Sequence, residues 1–427
     1  MKNILIFCDS FPPAFAPRMG YLCKYLQIFG YNPTIISEYS PQNMYENLAE
    51  GQDVSYINFY FSKNKTWEKI KYTFVFLADF FFHYKNFIFI KKAKKIIGKK
   101  KIDIVLSSSY RAFPSLAAYK ISQKYNLPFV MDLRDIIEQY PNSEYISKKL
   151  TGFSFINNFM VSVITKKLQK QRNKMLKNAD AVTTVSGFHA IFLSKYNKNT
   201  HLIFNGFDPE LFYPQTIETE QFTISYTGRI ESQKIKDPSL FFEAIKNLLT
   251  EKKIDAEKLN IRFYLTDEKS KEIVKKSAQK YKIYTFINIL NVVQTTEIPV
   301  ILNESSILLL VTNKSTGENA PKGIMGTKTF EYLAVEKPIL CVRNDEGCLE
   351  ETIKNADAGI SASTVEECEK FILEKYAEWQ QKGFTHQPVN QAFIQQFSRK
   401  RQAEQFSELF NELLSLLAEP SGGSSPQ

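Results

Sequence analysis

The sequence predicts an α/β protein built from two doubly wound domains, each a parallel sheet covered by helices on both faces. Three observations carry this expectation: short apolar runs too continuous for half-exposed strands, amphipathic segments between them, and a second round of the same rhythm after a turn-rich break. In the first round the candidate strands are Ile4–Cys8, Thr34–Ile36, Ile102–Leu106, Pro128–Asp132, Ala181–Val185 and Leu202–Phe204. Helix-like stretches such as Gly20–Phe29, Ser115–Tyr125 and Val163–Lys177 separate them. The second round offers strands at Phe222–Thr227, Ile261–Tyr264, Phe286–Leu290, Ile307–Val311, Ile339–Val342 and Gly359–Ser361. Its helices include Pro238–Thr250, Thr296–Asn303, Thr327–Val335 and Gly347–Asn355. Between the rounds lies NGFDPELFYPQ, Asn205–Gln215, rich in turn formers and a natural linker.

A chain of 427 residues is too long for one ordinary core. The pattern divides it into a first domain over 1–205, a second over 206–390, a terminal helix over 391–418 and a disordered tail over 419–427. The helix carries an apolar face including Phe393, Phe397, Phe406, Phe410 and Leu413, and is expected to pack back on the first domain. Ligands of open parallel sheets bind beyond the carboxyl ends of the strands, so the two domains are expected to face across a cleft that holds the chemistry.

Five scattered cysteines, with no paired or zinc-like spacing, read as reduced thiols, and no signal peptide is apparent. A cytoplasmic location follows as an expectation. The net charge of +10 is unevenly placed. Residues 1–205 hold 29 Lys and Arg against 13 Asp and Glu, while residues 206–427 hold 26 against 32. Such a basic first half suggests an anionic surface as partner, phospholipid or nucleic acid.

The strongest local signal is GIMGTKTFEYLAVEKP, Gly323–Pro338. A buried strand ends at Val311, a polar loop follows, and Gly326 and Thr327 open a helix. A helix N-terminus offers unpaired N–H groups and partial positive charge to a phosphate, and Gly323 and Gly326 would let it approach the backbone. Lys328 and Glu331 share a face. A lysine in the first turn suits a diphosphate, and a carboxylate one turn deeper suits a ribose diol. The bland alternative is a solvated ion pair of about 0.2–0.5 kcal/mol.

The run KTFEYLAVEKPIL resembles the donor-binding signature of the retaining glycosyltransferases of family 4, which have the GT-B fold. Three further stretches agree in order and distance: ILIFCDSFPPAFAPRMGYLCKYLQIFGY, then ADAVTTVSGF with LIFNGFDPELF, then ISYTGRI. The resemblance implies that Glu331 binds the nucleotide ribose and that Arg229 meets the donor diphosphate. It also implies a lysine partner, Lys234 by distance from Arg229 or Lys236 by register to the following helix. Donor contacts are thus expected from Arg229, Lys234, Lys236, Gly323, Gly326, Thr327, Lys328 and Glu331, with Arg229, Lys236, Glu331 and Asp135 as catalytic candidates.

Two departures stand out. Where many family members carry a second glutamate, eight positions before Glu331, this chain has Gly323. Where many carry a histidine after the fourth strand, it has MDLRD, with Asp132, Arg134 and Asp135. That run is similar to members that build surface polysaccharides. Its charged groups close a buried strand, where catalytic groups are usually found; the plain alternative is a structural Arg–Asp pair. Arg18 and Gly20, from a loop without G-x-G-x-x-G, join them as acceptor-side candidates.

Residues 67–101 concentrate aromatic and basic character. Trp67, Ile70, Phe74, Leu77, Phe81, Tyr84 and Ile88 recur at helical spacing, and twelve lysines lie between Lys63 and Lys101. Asp79, His83 and Lys85 interrupt the run, and a central Asp or Lys costs a membrane span about 2.5–3.5 kcal/mol. A helix lying on an anionic bilayer is expected, touching it through Trp67, Phe74, Phe81, Lys94 and Lys95, and the protein is expected to be peripheral on the inner membrane face. A core helix with a lysine tail is the alternative. No nucleic-acid reader motif accompanies the charge.

The reading is transfer of a sugar from a nucleotide diphosphate sugar to a glycan or lipid-linked acceptor, with retention implied by the resemblance. No metal motif and no hydrolase-like carboxylate pair are evident, so neither metal nor cofactor is expected beyond the nucleotide sugar co-substrate. The rivals are a nucleotide-sugar epimerase of the same fold and a non-catalytic nucleotide-sugar-binding scaffold.

Overall fold

The computed structural model describes residues 1–109, 112–139, 154–230, 236–312, 325–344 and 347–418. The chain divides into two compact units: Met1–Phe204 with the chain from Arg399 onward, and Asn205–Ser398. The tail over 419–427 lies outside the described residues.

In the first unit seven parallel strands form one sheet: β1 (Lys2–Cys8), β2 (Tyr31–Glu38), β3 (Asp53–Ile57), β4 (Ile104–Ser109), β5 (Phe129–Leu133), β6 (Ala181–Thr184) and β7 (Thr200–Leu202). Their spatial order is β3-β2-β1-β4-β5-β6-β7. The helices are α1 (Pro17–Leu26), α2 (Lys65–Phe82), α3 (Tyr84–Ile97), α4 (Ser115–Tyr125), α5 (Ser154–Asn178) and α6 (Gly187–Leu193). Alternation along β1 sends Ile4, Ile6 and Cys8 to one core with Met19, Leu22 and Leu26 of α1. Leu5 and Phe7 meet Phe89 of α3, Ile121 of α4 and Leu176 of α5 on the other face. Because the strand order reverses at β1 and β4, their carboxyl ends form the switch point where such sheets bind ligands.

The second unit holds six parallel strands: β8 (Phe222–Gly228), β9 (Leu259–Leu265), β10 (Ile287–Asn291), β11 (Ile307–Val311), β12 (Ile339–Val342) and β13 (Gly359–Ala362). They run in the order β10-β9-β8-β11-β12-β13, with the switch point at β8 and β11. The helices are α7 (Ser239–Thr250), α8 (Glu268–Lys280), α9 (Ile298–Asn303), α10 (Thr327–Ala334), α11 (Cys348–Asn355), α12 (Val365–Lys382) and α13 (Gln391–Gln395). Ile224 and Tyr226 of β8 pack with Ile245 and Leu248 of α7 and with Phe371 and Tyr376 of α12.

Two expectations change. The terminal helix is not continuous: α13 ends at Gln395, and α14 (Arg399–Ala418) begins after a turn. The Phe397 carbonyl accepts from the Phe207 N–H at 3.1 Å, a strand-like bridge that an unbroken helix could not make. The Phe397 ring lies tilted against Phe330 in the second unit, 4.9 Å between centroids, whereas Ala403, Phe406 and Phe410 of α14 join the α1 core in the first. β3 is the second difference. It is an edge strand, mostly half-exposed, without the continuous apolar run that marks central strands such as β1, β4 and β11.

Candidate functional site

The donor-side candidates gather at the carboxyl end of β8. Helix α10 starts from Gly326 in extended backbone, and among the described residues no side chain caps its first N–H groups, which leaves them for an anion. Its position is fixed by Tyr332, whose hydroxyl accepts from the Thr227 N–H at 3.1 Å and lies 3.1 Å from Thr227 Oγ1. Burial pushes that phenol up to about 12, so it stays a neutral tether.

Above this tether Lys328 reaches back over the strand end. Its Nζ stands 5.3 Å from the Tyr226 ring centroid. It occupies the space that a side chain at Gly228 would fill: a Cβ there would lie 1.3 Å from Nζ. Gly228 also has φ +128, which L side chains rarely adopt. Burial, with Lys236 as a second cation nearby, pushes the Lys328 ammonium down to about 7, while Glu331 pulls it the other way.

Arg229 follows Gly228 and is 59% exposed, so its guanidinium is accessible to a ligand. Its Nε lies 3.2 Å from Asp267 Oδ2, and Asp267 also caps α8 by accepting from the Ser270 N–H at 2.9 Å. The Arg229 carbonyl accepts from the Tyr226 hydroxyl at 2.9 Å and from Lys236 Nζ at 3.3 Å. Of the two lysines left open by the sequence, Lys236 is thereby tied to the arginine's loop; Lys234 lies outside the described residues, as does Gly323. Arg229, Lys236, Lys328 and Glu331 thus surround one strand end, a cationic cradle of the kind that suits a diphosphate, with a carboxylate beside it.

The acceptor-side candidates separate into two groups. Arg18 and Asp132 are fully engaged with each other and with the sheet. Arg18 donates to Asp132 at 2.9 and 3.2 Å and to the carbonyls of Phe204 and Ile203 at 2.8 and 3.0 Å. Asp132, fully buried, also accepts from Ser108 and Thr183 at 2.7 and 2.8 Å. Burial disfavours its charge, yet Arg18 and the two hydroxyls outweigh that and hold the carboxyl below its ordinary value. The pair therefore positions strand ends, which corrects the expectation of acceptor contacts for both. Gly20 is also corrected: a Cβ there would meet Pro12 at 2.7 Å and Leu48 at 3.0 Å, so it is a packing position inside α1.

Arg134 and Asp135 are half-buried at the end of β5. Arg134 donates to Asp9 at 2.8 Å; burial opposes its charge, but Asp9, Asp132 and Asp135 outweigh burial and raise its value. The Asp135 carboxylate acts electrostatically on His189 of α6, a residue the sequence does not single out. Burial lowers the His189 imidazole against the pull of Asp135. Gly228, Tyr332 and Asp267 are likewise missing from the sequence-based candidates. Gly228 had a visible signal, the glycine of TGRI; the other two depend on tertiary packing.

The membrane candidates are outward-facing. On α2, Trp67, Ile70, Phe74, Leu77 and Phe81 form a stripe in which every member is exposed, Phe74 to 68%. That excludes the core-helix alternative for this face. Lys94 and Lys95 are exposed near the end of α3. Among the described residues no single helix is long and apolar enough to cross a membrane; α2 and α3 meet at an 82° bend.

Two doubly wound sheets and a cationic cradle at a strand end define a GT-B architecture. Residues 18–211 match the family model of Glycosyltransferase Family 4, which bears out the resemblance read from the sequence and supports a glycosyltransferase. The fold is shared with a glycosyltransferase from Rickettsia africae, at 18% identity and TM-score 0.60 over 97% of this chain and 98% of that one. It is shared with Anabaena HepE in complex with UDP and glucose, at 11% identity and TM-score 0.60 over 96% and 100%. A UDP-GlcNAc 2-epimerase from Methanocaldococcus jannaschii matches at 12% identity and TM-score 0.50 over 96% and 100%. No protein with a curated description matches the sequence.

Proposed function

We propose that this chain is a retaining glycosyltransferase that moves a sugar from a nucleotide diphosphate sugar to a glycan or lipid-linked acceptor, in the building of surface polysaccharide or glycolipid. The observation that carries the reading is the Lys328 amine seated over Gly228, with Arg229 and Lys236 on the adjoining loop and Glu331 one turn further along α10. In the reaction the bond from the anomeric carbon to the diphosphate oxygen breaks, and the acceptor oxygen bonds to that carbon on the same face. The acceptor's proton passes to the departing diphosphate. Arg229, Lys236 and Lys328 neutralise the charge that develops there, which removes the need for a metal ion. Glu331 holds the ribose, and Asp135 orients the acceptor hydroxyl. The aromatic stripe of α2 and the lysines of α3 attach the protein to an anionic membrane surface.

The experiment is a panel of UDP-, GDP- and ADP-sugars tested for thermal stabilisation, followed by transfer assays with the one that binds. If none raises the melting temperature, the donor site is misassigned. The epimerase reading is kept because the fold is also that of a UDP-GlcNAc 2-epimerase. Release of free nucleotide and altered sugar from donor alone, with no acceptor present, would favour it over transfer.

A further inference from the structure

A cavity of about 440 Å³ lies in the first unit, beyond the carboxyl ends of β1, β2 and β4 and between α2 and α5. Its size falls in the range of about 300–1,000 Å³ typical of ligand pockets. Its place is the switch point of the sheet, where open α/β folds bind their ligands. We propose that this cavity holds the hydroxyl-rich head of a membrane glycolipid, presented from a bilayer on which α2 itself lies. The proposal rests on the glycosyltransferase reading and names the acceptor class.

The lining supplies both halves of what a sugar requires. Tyr60, Tyr72 and Phe76 offer flat aromatic faces for the apolar C–H side of a ring. Glu38 and Asp79 offer carboxylate oxygens for hydroxyls. Lys85 bonds to Glu38 and holds it in place, and the Lys85 ammonium rests 4.4 Å from the Phe113 ring centroid. The other Glu38 oxygen, Oε1, is buried and lacks a hydrogen-bond partner among the described residues. A buried acceptor left unmet is costly, and a ligand hydroxyl would satisfy it.

The lipid part follows from the two faces of α2. Val75, Phe76 and Asp79 line the cavity, while Trp67, Phe74 and Phe81 on the same helix face outward and are exposed. α5 repeats the arrangement: Ile164 and Leu168 line the cavity, and Phe159 and Val163 are exposed. Both cavity walls therefore carry apolar residues on their solvent side. Charge complementarity names the surface, since exposed Lys91, Lys94 and Lys95 follow on α3. A soluble sugar would have no use for such walls.

The test is co-sedimentation of the full chain with three vesicle types: phosphatidylcholine; phosphatidylcholine with phosphatidylglycerol; and the latter doped with diglucosyl diacylglycerol. The glycolipid should raise partitioning above that of the undoped anionic vesicles. Glu38→Gln with Asp79→Asn should cut this increment roughly tenfold, as losing charge-assisted hydrogen bonds implies. Val75→Trp, which fills the cavity while leaving Glu38 and Asp79 in the sequence, should abolish it. Both variants should bind undoped anionic vesicles and shift in melting temperature with a nucleotide sugar as the parent does. The proposal fails if the glycolipid adds nothing, if the folded variants keep the increment, or if the free diglucoside binds as tightly as the doped vesicle. Failure of every nucleotide sugar to shift the melting temperature would instead sink the donor reading.

Discussion

The amine of Lys328 stands where a Cβ of Gly228 would be, 1.3 Å from that position. The two residues are 100 apart in sequence and meet because Tyr332 ties α10 to Thr227 at the end of β8. Gly228→Ala should therefore displace the lysine and also strain a backbone at φ +128. The expected result is a drop in nucleotide affinity of at least about tenfold, together with about 1–3 kcal/mol of lost stability. Calorimetric titration and urea unfolding check the two effects separately.

Lys328 gives a pH signature. Its amine holds a proton up to about 10.5 when unfolded but only up to about 7 when folded. Between those values the unfolded chain carries the extra proton, so this group makes stability rise with pH through that window. Its full cost is present below about 7. Lys328→Met should flatten that slope in urea unfolding measured from about pH 7 to about pH 9. The parent should also take up a proton on binding a nucleoside diphosphate above neutrality, seen as a buffer-dependent heat that Lys328→Met lacks.

Asp132 separates a positioning role from a chemical one. Asp132→Asn leaves Arg18 buried opposite a neutral amide, and breaking such a pair costs about 3–5 kcal/mol. The Michaelis constant for acceptor should stay unchanged in the protein that remains folded. The wild-type pair stabilises above the ordinary aspartate value of about 3.9 and is lost as pH falls through the lower folded value. The Asn variant should lose that acid transition. A raised acceptor constant at unaltered stability would return Asp132 to the acceptor site.

The same residue shows what could be read in advance. Strand ends were visible as apolar runs closing on polar residues, so MDLRD was correctly placed at the end of β5. Which of its charges turn inward was not visible, because Arg18 is 114 residues away and meets Asp132 only through α1 packing. Lys328 and Glu331 were legible because they sit on one short helix. Gly228 was visible as the glycine of TGRI, but its closeness to Lys328 was not, because that closeness is tertiary. The break before α14 escaped because apolar periodicity runs on through Phe393 and Phe397, while the Phe207 bridge that interrupts it belongs to another segment.

The α2 stripe yields a prediction independent of catalysis. Phe74 and Phe81 are exposed to 68% and 62%, so replacing both with Asp removes almost no core packing. Stability should change by no more than about 0.5 kcal/mol per site, as for ordinary surface substitutions. Partitioning onto anionic vesicles should fall much further, because each large apolar side chain contributes about 1.5–3 kcal/mol when fully withdrawn from water. Lys94→Glu with Lys95→Glu should weaken binding by about 1 kcal/mol per lysine and reduce its salt sensitivity, leaving any attachment to neutral vesicles unchanged. Sedimentation across a salt series reads both effects. If the double Asp variant binds vesicles as the parent does, the exposed stripe does not meet the bilayer, and its apolar residues must be covered by something else.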